Sequence, residues 1–225
     1  MAGLDSYTKL LLHCDGVDAS TSFPDAMVRH TQTANANAQV DTAQYKFGTA
    51  SMLLDGNADY VSTAGNTSDF AVAAGGEVTI DFQYKHISYD VANARFFNHG
   101  ADTSFGCYLN GTSPNFYINA GAAAATKATS VVDGSWHHIA CVAWLDGAQR
   151  KIGLAVDGTF GTWLNDVNSC VADNLWIGEN TGGGRALHGW IDEFRVSNTA
   201  RWKANFTAPT AQYTAAGRSG GYIII

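Results

Sequence analysis

Three glutamates, Glu77, Glu179 and Glu193, and one acidic neighbour pair, Asp192-Glu193, are the residues of this chain that could do acid–base chemistry. Retaining hydrolysis of a glycosidic bond needs two carboxyl groups about 5 Å apart. On a strand that means positions two apart, because successive side chains alternate between faces. The sequence offers no such run: each glutamate stands alone, and Asp192 and Glu193 are expected to face apart. The same alternation keeps His137 and His138 from chelating one metal together. No Ser/His/Asp order can be read from the chain. Cys14, Cys107, Cys141 and Cys170 contain no close-spaced pair, so zinc-knuckle and Cys-x-x-Cys readings fail. They are expected as buried free thiols, with one disulfide as the alternative in an oxidising setting. No catalytic residue is assigned and no enzyme is expected.

The elements that would position these residues are strands. Val78, Ile80, Phe82, Tyr84 and His86 alternate with Thr79, Asp81, Gln83 and Lys85, which predicts a half-buried antiparallel strand with a wet outer face. Trp136 to Leu145 is apolar on both faces and should be central. Gly189 to Ser197 reads as a last long strand ending in a polar turn. Further strands are expected at Tyr7–Cys14, Arg95–His99, Phe105–Leu109, Asn115–Asn119, Lys151–Val156 and Asn174–Ile177. Hairpins are expected around Asp55-Gly56-Asn57 and Asp157-Gly158. Residues 15–44 read as long loops with short extended pieces, and Asn198–Asn205 as one helical turn that folds Trp202 back. Turn signals every 8–12 residues and no long helical period predict an all-β, two-sheet sandwich. It would span residues 1–213, followed by a linker and apolar arm at 214–225.

Composition removes whole classes of function. Hydrophobic residues make up 46% of 225, enough for a core without staples. The net charge is −7 and the 13 Lys and Arg are scattered singly, which argues against nucleic acid. No window reaches the roughly 18 apolar residues of a membrane span, and no secretory signal stands at Met1-Ala2-Gly3. The last residues, Tyr222, Ile223, Ile224 and Ile225, form a β-branched run after a Gly/Ser-rich stretch. They are expected to act as an assembly arm, adding as a strand to a neighbouring subunit's sheet edge.

An ordered series of short motifs carries a family resemblance: Lys46-Phe47-Gly48-Thr49-Ala50-Ser51, Leu54-Asp55-Gly56, Trp136-His137-His138-Ile139-Ala140, Ala155-Val156-Asp157-Gly158, Leu175-Trp176-Ile177-Gly178, and Asp192-Glu193-Phe194-Arg195-Val196-Ser197 with Arg201-Trp202. Together they resemble the concanavalin A-like jelly roll of the laminin G type over about residues 7–213. Asp41 to Ser51 and Asp192 to Trp202, with Asn205-Phe206-Thr207, look like the modules of bacteriophage structural proteins. The resemblance implies a jelly-roll sandwich, no catalysis, and at most a structural Ca²⁺. The calcium would be held by Asp192 and by Asp15 or the carbonyls of Gly16 and Gly56. It also implies glycan contact through aromatics, with Tyr108, Trp144, Trp163 and Trp176 as candidates. The expected role is a virion structural protein, a capsid decoration or tail-surface component made in the host cytoplasm. Its partners would be other virion proteins, copies of itself and a host surface glycan. The alternatives are a non-catalytic carbohydrate-binding module and, further off, a glycoside hydrolase.

Overall fold

The computed structural model describes residues 2–63, 68–88, 91–100, 104–119 and 123–215. Eighteen strands run in chain order: β1 (Ala2–Leu4), β2 (Thr8–Leu12), β3 (Gln32–Asn35), β4 (Gln39–Asp41), β5 (Ser51–Asp55), β6 (Tyr60–Thr63), β7 (Val78–His86), β8 (Arg95–His99), β9 (Phe105–Asn110), β10 (Ser113–Ile118), β11 (Ala125–Thr126), β12 (Trp136–Asp146), β13 (Gln149–Val156), β14 (Thr159–Phe160), β15 (Leu164–Asp166), β16 (Leu175–Ile177), β17 (His188–Ser197) and β18 (Thr214–Ala215). The one helical piece among the described residues is a 3₁₀ turn at Ser68–Phe70. Two antiparallel sheets face each other. One has seven strands in the order β11-β10-β9-β8-β16-β6-β3. The other has nine, running β14-β13-β12-β7-β17-β5-β4 with β15 on β13 and β2 on β17. This is the predicted jelly-roll sandwich.

Period-2 patterning builds the core between the sheets. Ile80, Phe82 and Tyr84 of β7 meet Phe96 and Phe97 of β8 and Phe194 of β17. Phe82 and Phe194 stack with centroids 5.6 Å apart, and Phe97 meets Phe82 edge-on at 6.3 Å. All four cysteines are free and buried. β12 lies between β7 and β13, as its two apolar faces required.

The outer face of β7 is not wet. Thr79 and Asp81 are fully buried and Gln83 is 2% exposed. The cover is the segment after β17, which crosses that sheet without forming a helical turn. Trp202 packs on Ala140, Val142 and Ala155 in a second apolar layer, stacked on Phe206 at 4.0 Å. Beneath this cover Arg195 donates from Nε to Asp81 Oδ1 at 2.9 Å and from Nη2 to Oδ2 at 3.1 Å, while Tyr213 donates its hydroxyl to Oδ2. Burial alone would raise the pKa of Asp81, yet Arg195 and His138 bring it down to about 2. Thr214 and Ala215 form β18, which pairs parallel to β1 in a separate two-stranded sheet. Tyr222, Ile223, Ile224 and Ile225 lie outside the described residues.

Candidate functional site

The acidic motif of β17 serves the fold. Between Asp192 and Arg195 the strand gains one residue against β7, and Glu193 sits at φ 53°. This bulge breaks the alternation that should have sent the two carboxylates apart. Ile191 and Phe194 both stay in the core. Glu193 instead takes the Tyr213 N–H at 2.8 Å and pairs with His13 at 2.5 Å. Hydrogen bonding to Glu193 raises the His13 pKa. Asp192 accepts the N–H groups of Lys46 and Phe47, both at 2.9 Å, through Oδ2. Asp15 accepts from Thr49 N, Thr49 Oγ1 and Ala50 N through Oδ1, and from Gln212 Nε2 through Oδ2. The two carboxylates therefore clamp the same loop, residues 46–50. Gly48 is needed at its turn: φ is +67°, and a Cβ there would sit 2.3 Å from Gln212 Nε2 and 2.4 Å from Asp15 Oδ1.

Calcium takes six to eight oxygen ligands. Asp192 Oδ1 is buried and has no hydrogen-bond partner, so it suits a cation. Burial pushes the Asp192 pKa up to about 7, the charge of Glu193 adding to the effect. Asp15 is committed to four donors. No group of three His, Cys, Asp or Glu side chains converges among the described residues. Asp192 thus offers one unpartnered oxygen where a cation could be held.

The histidine pair also has structural partners. His137 bonds Asp157 at 2.7 Å and Asp133 at 3.1 Å, and His138 bonds Asp81 at 3.3 Å. Glu77 pairs with Lys203 at 2.9 Å.

The four aromatics proposed for glycan contact divide between opposite sides of the sandwich. Trp144 and Trp163 meet edge-on at 6.1 Å over the nine-stranded sheet, where Trp163 packs with Phe160 at 4.4 Å. Trp163 belongs to the second apolar layer, and Trp144 packs edge-on against it. Tyr108 lies on the seven-stranded sheet beside Tyr117, with the Arg95 guanidinium 5.1 Å from its ring centre.

Trp176 stands apart from these. Its neighbours Leu175 and Ile177 are fully buried in the core, so alternation sends the indole outward. Register aligns it in one row across the sheet: Thr33, Ser62, Trp176, Asn98, Gly106 and Tyr117. Tyr117 donates its hydroxyl to Asn98 Oδ1 at 3.2 Å, and a Cβ on Gly106 would meet that hydroxyl at 2.9 Å. Tyr60 of β6 stacks on Trp176 with centroids 4.3 Å apart and planes 21° off parallel.

Beside this pair opens a cleft of about 210 Å³, lined by Ala58, Tyr60, Trp176 and residues 179–183. The wall after β16 is a glycine-rich turn. Gly178 holds φ +100° with Leu54 and the Asp59 carbonyl too close for a Cβ. Glu179 folds the turn by accepting the N–H groups of Asn180 at 2.9 Å and Arg185 at 2.6 Å on Oε1. Its Oε2 is buried without a hydrogen-bond partner, on a residue only 2% exposed. Asp59, below the turn, takes the N–H groups of Asn37 at 2.7 Å and Asp55 at 2.5 Å, and burial pushes its pKa up to about 6. Of this site the sequence singles out Trp176 as an aromatic candidate; Glu179 stands in it as an isolated glutamate.

A family model of the laminin G type, described as the concanavalin A-like lectin/glucanases superfamily, matches residues 55–205. The chain belongs to this superfamily. Solved structures agree on the fold of this superfamily member. The binding domain of Paraclostridial Mosquitocidal Protein 1 superposes with a TM-score of 0.65 at 10% identity, covering 86% of this chain and 49% of that one. The binding domain of botulinum neurotoxin DC in complex with rat synaptotagmin II gives 0.65 at 10%, covering 86% and 48%. The same toxin domain in complex with SialylT gives 0.64 at 9%, covering 87% and 48%. The laminin G-like chain thus spans about half the length of these structures. No curated protein matches its sequence. No helix among the described residues is long and apolar enough to cross a membrane.

Proposed function

We propose that this laminin G-like domain is a non-catalytic recognition module that docks a glycan on the outer face of its seven-stranded sheet, at Tyr60 and Trp176. The stacked pair at the mouth of the cleft carries the reading. Outward aromatic faces are electron-rich and accept the C–H face of a sugar ring, and a concave site with few polar groups is the usual form of a small-ligand pocket. The likeness to binding domains, one of them in complex with SialylT, supports a binding role. A glycan array probed with the wild-type chain and with Trp176→Ala tests it. Binding that disappears in the variant is expected; binding unaffected by the variant would refute the site.

A placement on a virion surface is the finer reading that the motifs at Asp41–Ser51 and Asp192–Trp202 favour. The β1–β18 pairing sets Ala2–Leu4 beside Thr214–Ala215. Light scattering on the full chain and on a chain ending at Ala215 tests whether residues 216–225 bridge copies. A calcium ion, held in part by Asp192 Oδ1, would brace loop 46–50 and take no part in recognition.

A further inference from the structure

Resting on the glycan reading above, we infer that Glu179 selects the sugar: the cleft takes a neutral or amino sugar that donates a hydrogen bond to Glu179 Oε2, and it rejects acidic sugars. The carboxylate is divided in function. Oε1 is used up by the Asn180 and Arg185 N–H groups, which fix the side chain and leave Oε2 buried without a partner on a residue that lines the cleft. A buried acceptor without a partner is costly, and a ligand hydroxyl or ammonium that reaches it recovers that cost. A sugar carboxylate or sulfate brings acceptors to an acceptor and negative charge to negative charge. None of the described residues lining the cleft is Lys or Arg to offset this, and the whole chain carries −7. The geometry makes Glu179 a specificity-determining residue, with the Tyr60–Trp176 pair supplying the apolar contact.

Glu179→Gln separates the two halves of the carboxylate. The amide oxygen must stay where Oε1 accepts two N–H groups, so the NH₂ takes the Oε2 position and an acceptor becomes a donor. The turn keeps its hydrogen bonds, and the variant should fold. The experiment titrates wild type, Trp176→Ala and Glu179→Gln with neutral, amino-bearing and sialylated or sulfated oligosaccharides, with a thermal melt of each protein. The expected result is binding of neutral or amino sugars by the wild type and none of the acidic ones. Trp176→Ala should abolish binding, and Glu179→Gln should weaken it at least tenfold, with the amino sugars losing most. A site built around a buried hydrogen-bond acceptor discriminates at that level or above. Acidic sugars bound as tightly as neutral ones, or Glu179→Gln indistinguishable from wild type while Trp176→Ala is dead, would overturn the role of Glu179 and leave the aromatic platform standing. No sugar bound by any protein, or binding indifferent to Trp176, would overturn the platform itself.

Discussion

Arg195→Met tests the account of the covered face. The guanidinium is fully buried and bonds both oxygens of Asp81, and its Cζ lies 3.7 Å from the centre of the Tyr213 ring. Methionine keeps much of the stem and removes the charge, so Asp81 is left as a buried carboxylate held only by His138 and Tyr213. Breaking one side of a buried pair costs about 3–5 kcal/mol, which urea unfolding at pH 7 should report. The pH dependence gives a second signature. In the wild type the folded pKa of Asp81 is about 2 against an ordinary 3.8. A depressed carboxylate contributes stability that is full above the unfolded value and lost as pH falls towards the folded one. That loss is about 2 to 3 kcal/mol between roughly pH 5 and pH 2. Without Arg195 burial dominates and the folded pKa rises above the unfolded one, so acidification should relieve the variant where it weakens the wild type. A cost below about 1 kcal/mol, or parallel pH profiles for the two proteins, would refute the pairing as the element that holds the crossover down.

Other outcomes follow from single sites. Gly48→Ala should destabilise by more than the ~1 kcal/mol of an ordinary left-handed glycine, since its Cβ also meets Asp15 and Gln212; a melt within a degree of wild type would contradict the clamp on loop 46–50. His99, packed between Phe70 and Phe105 with its pKa lowered by burial to about 4, prefers to stay neutral. Its contribution is intact above pH 6.5 and lost as pH falls towards 4, about 3 kcal/mol in all, and His99→Phe should flatten that slope in acid titrations of stability. Calcium at a hundredfold excess over its dissociation constant should stabilise the wild type by about 2.7 kcal/mol and Asp192→Asn by much less; equal shifts would place the ion elsewhere.

The fold was legible because its signals are local. Alternation in β7 and the two-sided apolar pattern of β12 are properties of consecutive residues, and both strands sit where the patterning put them. The outer face of β7 misled because Thr79, Asp81 and Gln83 look solvated in isolation. Their cover comes from residues more than a hundred positions later, and sequence periodicity carries no information about it. The bulge at Glu193 is the same kind of failure at a finer scale. One inserted residue reverses the inference from alternation, and nothing in Asp-Glu-Phe-Arg marks it. At the candidate site Trp176 could be named from its strand. Glu179 could have been found as well: a carboxylate opening a turn of Asn180-Thr181-Gly182-Gly183-Gly184 is placed to bind main-chain N–H groups. What the sequence could not show is that only one of its two oxygens is used.

The two faces of the sandwich follow from this asymmetry of cover. On the nine-stranded sheet, Arg195, Trp202, Phe206 and Tyr213 seal the surface and absorb Trp144 and Trp163 into an apolar layer. Aromatic residues there have protein partners and little freedom to meet a ligand. On the seven-stranded sheet no such crossover is seen among the described residues. In the outward row Asn98 and Tyr117 are buried, while Ser62 and Trp176 stay half-exposed beside the turn that Glu179 folds. A half-buried Tyr–Trp stack next to a carboxylate oxygen without a protein partner is poorly explained by stability, since an apolar pair with no buried acceptor would serve the fold better. Recognition at the proposed site accounts for both features at once.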